Sequence, residues 1–160
     1  RGYRVTGVEL SDIAVGDFFA EQGIAATSQR EGPFEVTQGA GIRLLCGDFF
    51  DLQAAHTAGV AAVYDRAALI ALPAAMRGRY LDRLLDLIPA EAPILLLTLE
   101  YPAGEIEGPP FSVDANEVQA LFAGRRRVEL LESLDCLAEE PALAERGLTR
   151  LVEHAFLASG

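Results

Sequence analysis

The sequence predicts an α/β fold: a mostly parallel sheet covered by helices, with one reversed strand near its edge. Three observations carry this reading. Segments of strand pattern alternate with segments of helical pattern along most of the chain, as units of strand, helix and parallel strand require. Residues 93–100, PILLLTLE, form a continuous β-rich apolar run of the kind that a strand buried on both faces shows. The last two strands are joined by a short connection, which implies antiparallel pairing.

The elements follow in order. Residues 3–10, YRVTGVEL, alternate toward a buried strand that ends on the acid Glu9. Ser11 is placed to N-cap a helix carrying Ile13, Phe18 and Phe19, and Gly23 stops it. Residues 34–38 and 42–46 flank Gly39-Ala40-Gly41, a hairpin or tight glycine turn, and Gly47-Asp48-Phe49-Phe50 comes directly after. Residues 60–64, VAAVY, are a short strand-type run closed by Asp65-Arg66. Pro73 begins a covering helix with Met76, Tyr80, Leu84, Leu87 and Ile88 on its apolar face and Arg77, Arg79, Asp82, Arg83 and Asp86 facing outward. After the central apolar strand, residues 101–112 are rich in glycine and proline and contain Gly108-Pro109-Pro110-Phe111. Two consecutive prolines hold a loop extended without donating backbone hydrogen bonds, which suits either a rigid pocket wall or a plain connector. Asp114 and Glu117 make a capping box for a helix carrying Val118, Leu121 and Phe122. A strand over 127–135, a polar segment over 137–146 closed by Gly147, and a final strand over 148–158 complete the chain.

Composition bounds the function. With 160 residues, 51% hydrophobic, the chain suits a single domain with a substantial core. Its net charge of -11 opposes a nucleic-acid role, since phosphate binding needs concentrated positive charge. The one basic run, at 125–127, has no aromatic platform beside it and reads as a solvated turn. Cys46 and Cys136, without a CxxC spacing, are expected to be reduced thiols that pack in a cytoplasmic protein. The apolar runs fall short of the roughly 18 residues that a membrane-spanning helix needs. His56 and His154 lack metal-ligand spacing. A monomer that takes a small molecule is the expectation.

Polar residues collect at strand ends, where open α/β sheets bind ligands. Glu9 is either a ribose ligand or an acid favoured by a helix start. Asp48 with Phe49 either borders a heteroaromatic ring or makes a turn acid beside core aromatics. Asp65-Arg66 either reaches the same crevice or merely ends a strand in water. A dinucleotide-dependent oxidoreductase remains open on these residues alone.

Taken together, VELS at 8–11, FFAEQG at 18–23, GDFFDL at 47–52, YDRAALIALP at 64–73, LEYP at 99–102 and GPPFSV at 108–113 resemble bacterial thiopurine S-methyltransferases. The match keeps its order over nearly the whole chain. The resemblance implies the class I S-adenosylmethionine-dependent methyltransferase fold, Rossmann-like, with S-adenosyl-L-methionine as cofactor. It implies methyl transfer to a thiol such as a thiopurine, or to a selenium or tellurium species. By the same resemblance Glu9, with Leu10 beside it, would bind the cofactor ribose, and Asp48 and Phe49 would border its adenine. Arg66 would sit between cofactor and acceptor, and Pro110 would belong to the acceptor pocket.

Two departures from the family pattern are visible. Relatives carry a first strand, a cofactor loop of LCGKS type and its helix before the point that corresponds to residue 1, so an N-terminally incomplete domain is expected, with a truncated, non-catalytic Rossmann-like domain as an alternative. Relatives often place an arginine after the proline of EEPALAERG, residues 139–147. Here Ala142 stands there, with Arg146 as a substitute only if that loop folds differently.

Overall fold

The computed structural model describes residues 2–160. The chain divides into two compact units, residues 1–58 and 59–160, each with a four-stranded sheet of its own.

The first unit comprises β1 (Val5–Glu9), α1 (Asp12–Glu21), β2 (Thr27–Glu31), β3 (Phe34–Gly39) and β4 (Ile42–Cys46), then a 3-10 turn at Phe49–Asp51. Its sheet runs β1-β4-β3-β2, with β1 and β4 parallel and the other pairs antiparallel. Ser11 starts α1 as expected: its Oγ accepts from the Ala14 N–H at 3.2 Å. The hairpin is also where the sequence placed it. Ala40 and Gly41 have φ of 49° and 82°, and the two left-handed residues match the twist of the strands they join. Phe34, Val36 and Leu45 are fully buried, and the Phe34 ring packs edge-on against His56 at 5.1 Å.

The second unit contains β5 (Val63–Asp65), α2 (Ala68–Ala71), α3 (Ala74–Leu87), β6 (Ile94–Glu100), α4 (Ala115–Phe122) and β7 (Arg127–Asp135). A 3-10 turn at Leu137–Glu139, α5 (Pro141–Glu145) and β8 (Val152–Ser159) follow. The strand order is β5-β6-β8-β7; β5 and β6 are parallel, while β8 runs antiparallel to both β6 and β7. The reversed pairing of the last two strands therefore stands. Buried and half-buried residues alternate strictly along β8, which places His154, Phe156 and Ala158 on the same face as Val152.

Several expectations need correction. Antiparallel pairs outnumber the two parallel ones. Part of the reason is β2, TSQRE, which the sequence reading missed because a strand of polar residues carries no apolar alternation. The first strand is exposed rather than buried, with half of Val5 in contact with solvent. On β6, Ile94, Leu96 and Thr98 are buried but Leu95 on the other face is not, so only one face is well covered. Residues 60–62 lie outside the strand that Val63 opens, and the segment expected to be polar before the last strand folds into α5 around the buried Leu143. Arg77 is no outward residue: it is 3% exposed on the core face of α3.

Candidate functional site

In the first unit, the parallel pairing of β1 with β4 brings two strand tips together. Glu9 lies opposite Cys46 in the register, and the Gly47 N–H donates to the Glu9 carbonyl at 2.9 Å. Gly47 is needed for this passage, because a Cβ there would meet the Phe34 ring at 2.6 Å. The chain then turns through Asp48, whose Oδ1 accepts from the Phe50 N–H at 2.9 Å and so starts the 3-10 turn carrying Phe49. Glu9, Leu10, Asp48 and Phe49 thus come from the carboxyl ends of adjacent parallel strands. Glu9 and Asp48 are exposed, Phe49 is half-buried, and its ring meets Phe50 edge-on at 5.8 Å.

Local hydrogen bonds orient these groups. The Ser11 N–H donates to Glu9 Oε1 at 2.9 Å, fixing a carboxylate at the mouth of the β1-α1 connection. A carboxylate has about four acceptor positions, so this bond still allows further donors such as vicinal hydroxyls. Leu10 is 76% exposed, and its carbonyl accepts from the Cys46 thiol at 3.7 Å. Desolvation, followed by the nearby carboxylates of Asp12, Glu35 and Glu9, pushes the Cys46 thiol up from its ordinary range. It packs as a protonated donor.

In the second unit, the two charged residues at the end of β5 separate. Asp65 is buried; its Oδ1 accepts from the Ala68 and Leu69 N–H groups at 3.1 and 3.4 Å, and its Oδ2 from the Tyr80 hydroxyl at 2.8 Å. Burial raises the Asp65 carboxyl above its usual range, against the lowering effect of those hydrogen bonds, and burial beside Asp65 pushes the Tyr80 phenol up as well. Asp65 is thereby committed to holding α2 and α3. Arg66, next in the chain, is exposed.

The loop that carries Pro110 is held from several sides. The Phe111 N–H donates to the Ile70 carbonyl at 2.7 Å, which ties it to the segment that Arg66 opens. The Tyr101 hydroxyl donates to the Pro110 carbonyl at 2.8 Å, and Ser112 Oγ pairs with both the N–H and the carbonyl of Tyr101 at 3.1 Å. The Arg77 guanidinium donates to the Leu72 carbonyl at 3.0 Å and to Glu117 at 2.6 Å, and lies 6.0 Å from the centre of the Phe111 ring. Sequence reasoning missed Tyr80, Arg77, Tyr101 and Ser112. For Arg77 the signal was present: it stands three residues before Tyr80 and seven before Leu84, on the face those residues bury.

Both histidines are engaged in hydrogen bonds. His56 Nδ1 accepts from the Gln53 N–H at 2.9 Å, and His154 bridges Ser133 Oγ at 2.8 Å and Glu100 at 2.9 Å. Among the described residues no group of three or more His, Cys, Asp or Glu could hold a metal ion, and no helix is long and apolar enough to cross a membrane.

Comparison with known proteins identifies the family and the fold. The family profile described as Thiopurine S-methyltransferase (TPMT) matches residues 1–159. The thiopurine S-methyltransferase of Nitrosospira multiformis is 48% identical over 96% of the chain, which covers 70% of that protein; its counterpart in Pseudomonas fluorescens is 47% identical over the whole chain, which covers 73% of it. Among solved structures, an S-adenosylmethionine-dependent methyltransferase from Anabaena variabilis superposes with a TM-score of 0.59 at 17% identity, over 98% of this chain and 68% of that one. That likeness establishes the mixed α/β fold, and the close relatives and the profile establish the rest: the chain belongs to the thiopurine S-methyltransferase family, S-adenosylmethionine-dependent methyltransferases.

Proposed function

We propose that this chain methylates a small aromatic or heterocyclic thiol of thiopurine type, or a comparable selenium or tellurium nucleophile. Glu9, Leu10, Asp48 and Phe49 hold the adenosine part of the cofactor, Arg66 serves cofactor and acceptor, and Pro110 borders the acceptor. The observation that carries the reading is the joining of the β1 and β4 tips through Gly47 and Glu9. It sets an acceptor-only carboxylate beside a second carboxylate and an aromatic ring. Two acceptors and a ring suit adenosine: ribose hydroxyls would donate to Glu9, an exocyclic amine would donate to Asp48, and the Phe49 ring would offer a face or edge to the base.

When bound, S-adenosylmethionine would supply an electrophilic sulfonium methyl group for the acceptor sulfur, with S-adenosylhomocysteine as the leaving product. The chain's task is alignment. Oriented reactants gain roughly 7 to 11 kcal/mol in ideal cases, and charges of opposite sign that cancel during the reaction favour a dry, apolar wall such as Pro110 and Phe111 provide. An acceptor that ionises near neutral pH needs no strong general base. Arg66, exposed and adjacent to a fixed Asp65, is free to favour the ionised thiol or the cofactor carboxylate.

We expect a cytoplasmic monomer without nucleic-acid or membrane partners, in keeping with a net charge of -11. Calorimetric titration with S-adenosylhomocysteine beside a nicotinamide dinucleotide tests the cofactor assignment, and methyl transfer to 6-mercaptopurine, thiophenol and a selenol tests the acceptor class. Binding of the first ligand with turnover of a thiol is the expected result. Binding of the dinucleotide instead, or of neither, would overturn it.

A further inference from the structure

We propose that Arg146 is a positioning residue for the acceptor pocket: its guanidinium fixes the Gly108–Phe111 loop, and so sets where Pro110 stands. The inference rests on the reading that Pro110 borders the acceptor. It starts from an imbalance in the loop itself. Pro109 and Pro110 have no N–H, so the loop cannot close a hydrogen-bond ladder of its own, and its carbonyls need donors from elsewhere. Those donors are side chains. Arg146 Nη2 donates to the Glu107 carbonyl at 2.6 Å and Nη1 to the Pro109 carbonyl at 3.2 Å. The Tyr101 hydroxyl takes the next carbonyl, that of Pro110.

A planar fork is what bridging two carbonyls two residues apart requires, and an ammonium on a flexible stem cannot reproduce it. The base of Arg146 is fixed in turn. Gly147 follows it with a φ of 108°, and Thr149 donates through its N–H and its hydroxyl to Glu105 at 2.9 and 2.6 Å. Those two bonds hold the Glu105 carboxyl below its usual range. Beneath them Tyr101, Leu143, Leu148 and Leu151 form one buried cluster, with Ile106 packed against it. The segment from α5 to Thr149 and the loop from Glu105 to Phe111 therefore behave as one body. Ala142 brings no side chain capable of this, and Arg146 acts on the pocket through the loop rather than by touching the acceptor.

Steady-state kinetics with S-adenosylmethionine and 6-mercaptopurine on the parent protein, Arg146→Ala, Arg146→Lys and Pro110→Ala test the assignment. Losing two hydrogen bonds to the loop is expected to raise the acceptor KM roughly tenfold in Arg146→Ala, with the affinity for S-adenosylhomocysteine unchanged and the Lys variant in between. A general structural loss would move both affinities together, and that result overturns the proposal. Pro110→Ala separates the two readings. An unchanged acceptor KM in that variant refutes the placement of Pro110. A shift there without one in Arg146→Ala refutes the positioning role, and a shift in Arg146→Ala alone means that Arg146 meets the acceptor directly, which refutes it too. Should Arg146→Ala fail to fold, Arg146→Lys carries the same comparison.

Discussion

Asp65 and Arg66 are neighbours in sequence with opposite fates, and the difference lies in what surrounds each. Three donors converge on the Asp65 carboxylate inside the second unit, whereas Arg66 is left in solvent. Arg66→Ala should therefore weaken cofactor or acceptor binding while leaving the melting temperature unchanged; unaltered kinetics would remove Arg66 from the site. Glu9→Gln replaces an acceptor-only carboxylate by an amide. It should weaken S-adenosylhomocysteine binding by about 1.5 to 3 kcal/mol, the usual worth of a hydrogen bond to a charged group, as read by calorimetry. Arg77 makes a stability prediction instead. Its removal strands the Leu72 carbonyl and the partly buried Glu117, so Arg77→Ala should cost roughly 3 kcal/mol in urea denaturation, in the range for breaking a buried pair. These charges were visible in the sequence, but the partners that Asp65 and Arg77 meet on burial were not. Arg77 sat on an apolar helix face whose other members gave the helix away, and only the Leu72 carbonyl, Glu117 and Phe111 gathered around it explain why a guanidinium is tolerated there.

The hydrogen bonds around Asp65 also bind elements together: one carboxylate joins the end of β5 to the start of α2 and the middle of α3. Because burial raises its pKa, the folded state holds the Asp65 proton more tightly than the unfolded chain. Stability contributed by this group therefore falls as pH rises from about 4 through the raised value, and is level above it. Glu31 and Glu105, whose carboxyls are held low first by hydrogen bonds from Gln29 and Thr149, act with the opposite sign, losing their contribution as pH falls below about 4.5. Chemical denaturation across this range should show that Asp65→Asn abolishes the decline on the rising side only. On β6, Thr98 is 1% exposed, and among the described residues its hydroxyl finds no partner. Thr98→Val should stabilise the protein by roughly 1 kcal/mol, the penalty of a buried unsatisfied polar group; a loss of stability would show that the hydroxyl is satisfied after all. At this scale the sequence was legible where its signals are local. Ser11 and Asp114 cap α1 and α4 as their residue types predict, whereas β2 escaped because its pairing with β3, not its composition, makes it a strand.

Across the molecule, strand protection should follow burial. β8 is central in its sheet, paired on both sides and alternately buried, while β1 lies at an edge with exposed residues. Native-state hydrogen exchange should find the β8 and β6 amides slowest and those of β1 and β2 fastest; equal protection would contradict the burial pattern. The α/β class, the hairpin at Ala40-Gly41, the caps, the reversed last strand and the motifs that mark the family were all determined by the sequence, because each depends on residue type and spacing within a short window. The tertiary structure alone decided that the strands form two mixed sheets, that Asp65 is spent on Tyr80 while Arg66 stays exposed, and that Arg146 fastens the Pro110 loop. Each of these depends on which distant donor meets which acceptor. Arg146 and Glu107 are brought within hydrogen-bond distance by the antiparallel return of β8 along β6 and by the apolar cluster around Tyr101, not by any pattern in the residues near either one.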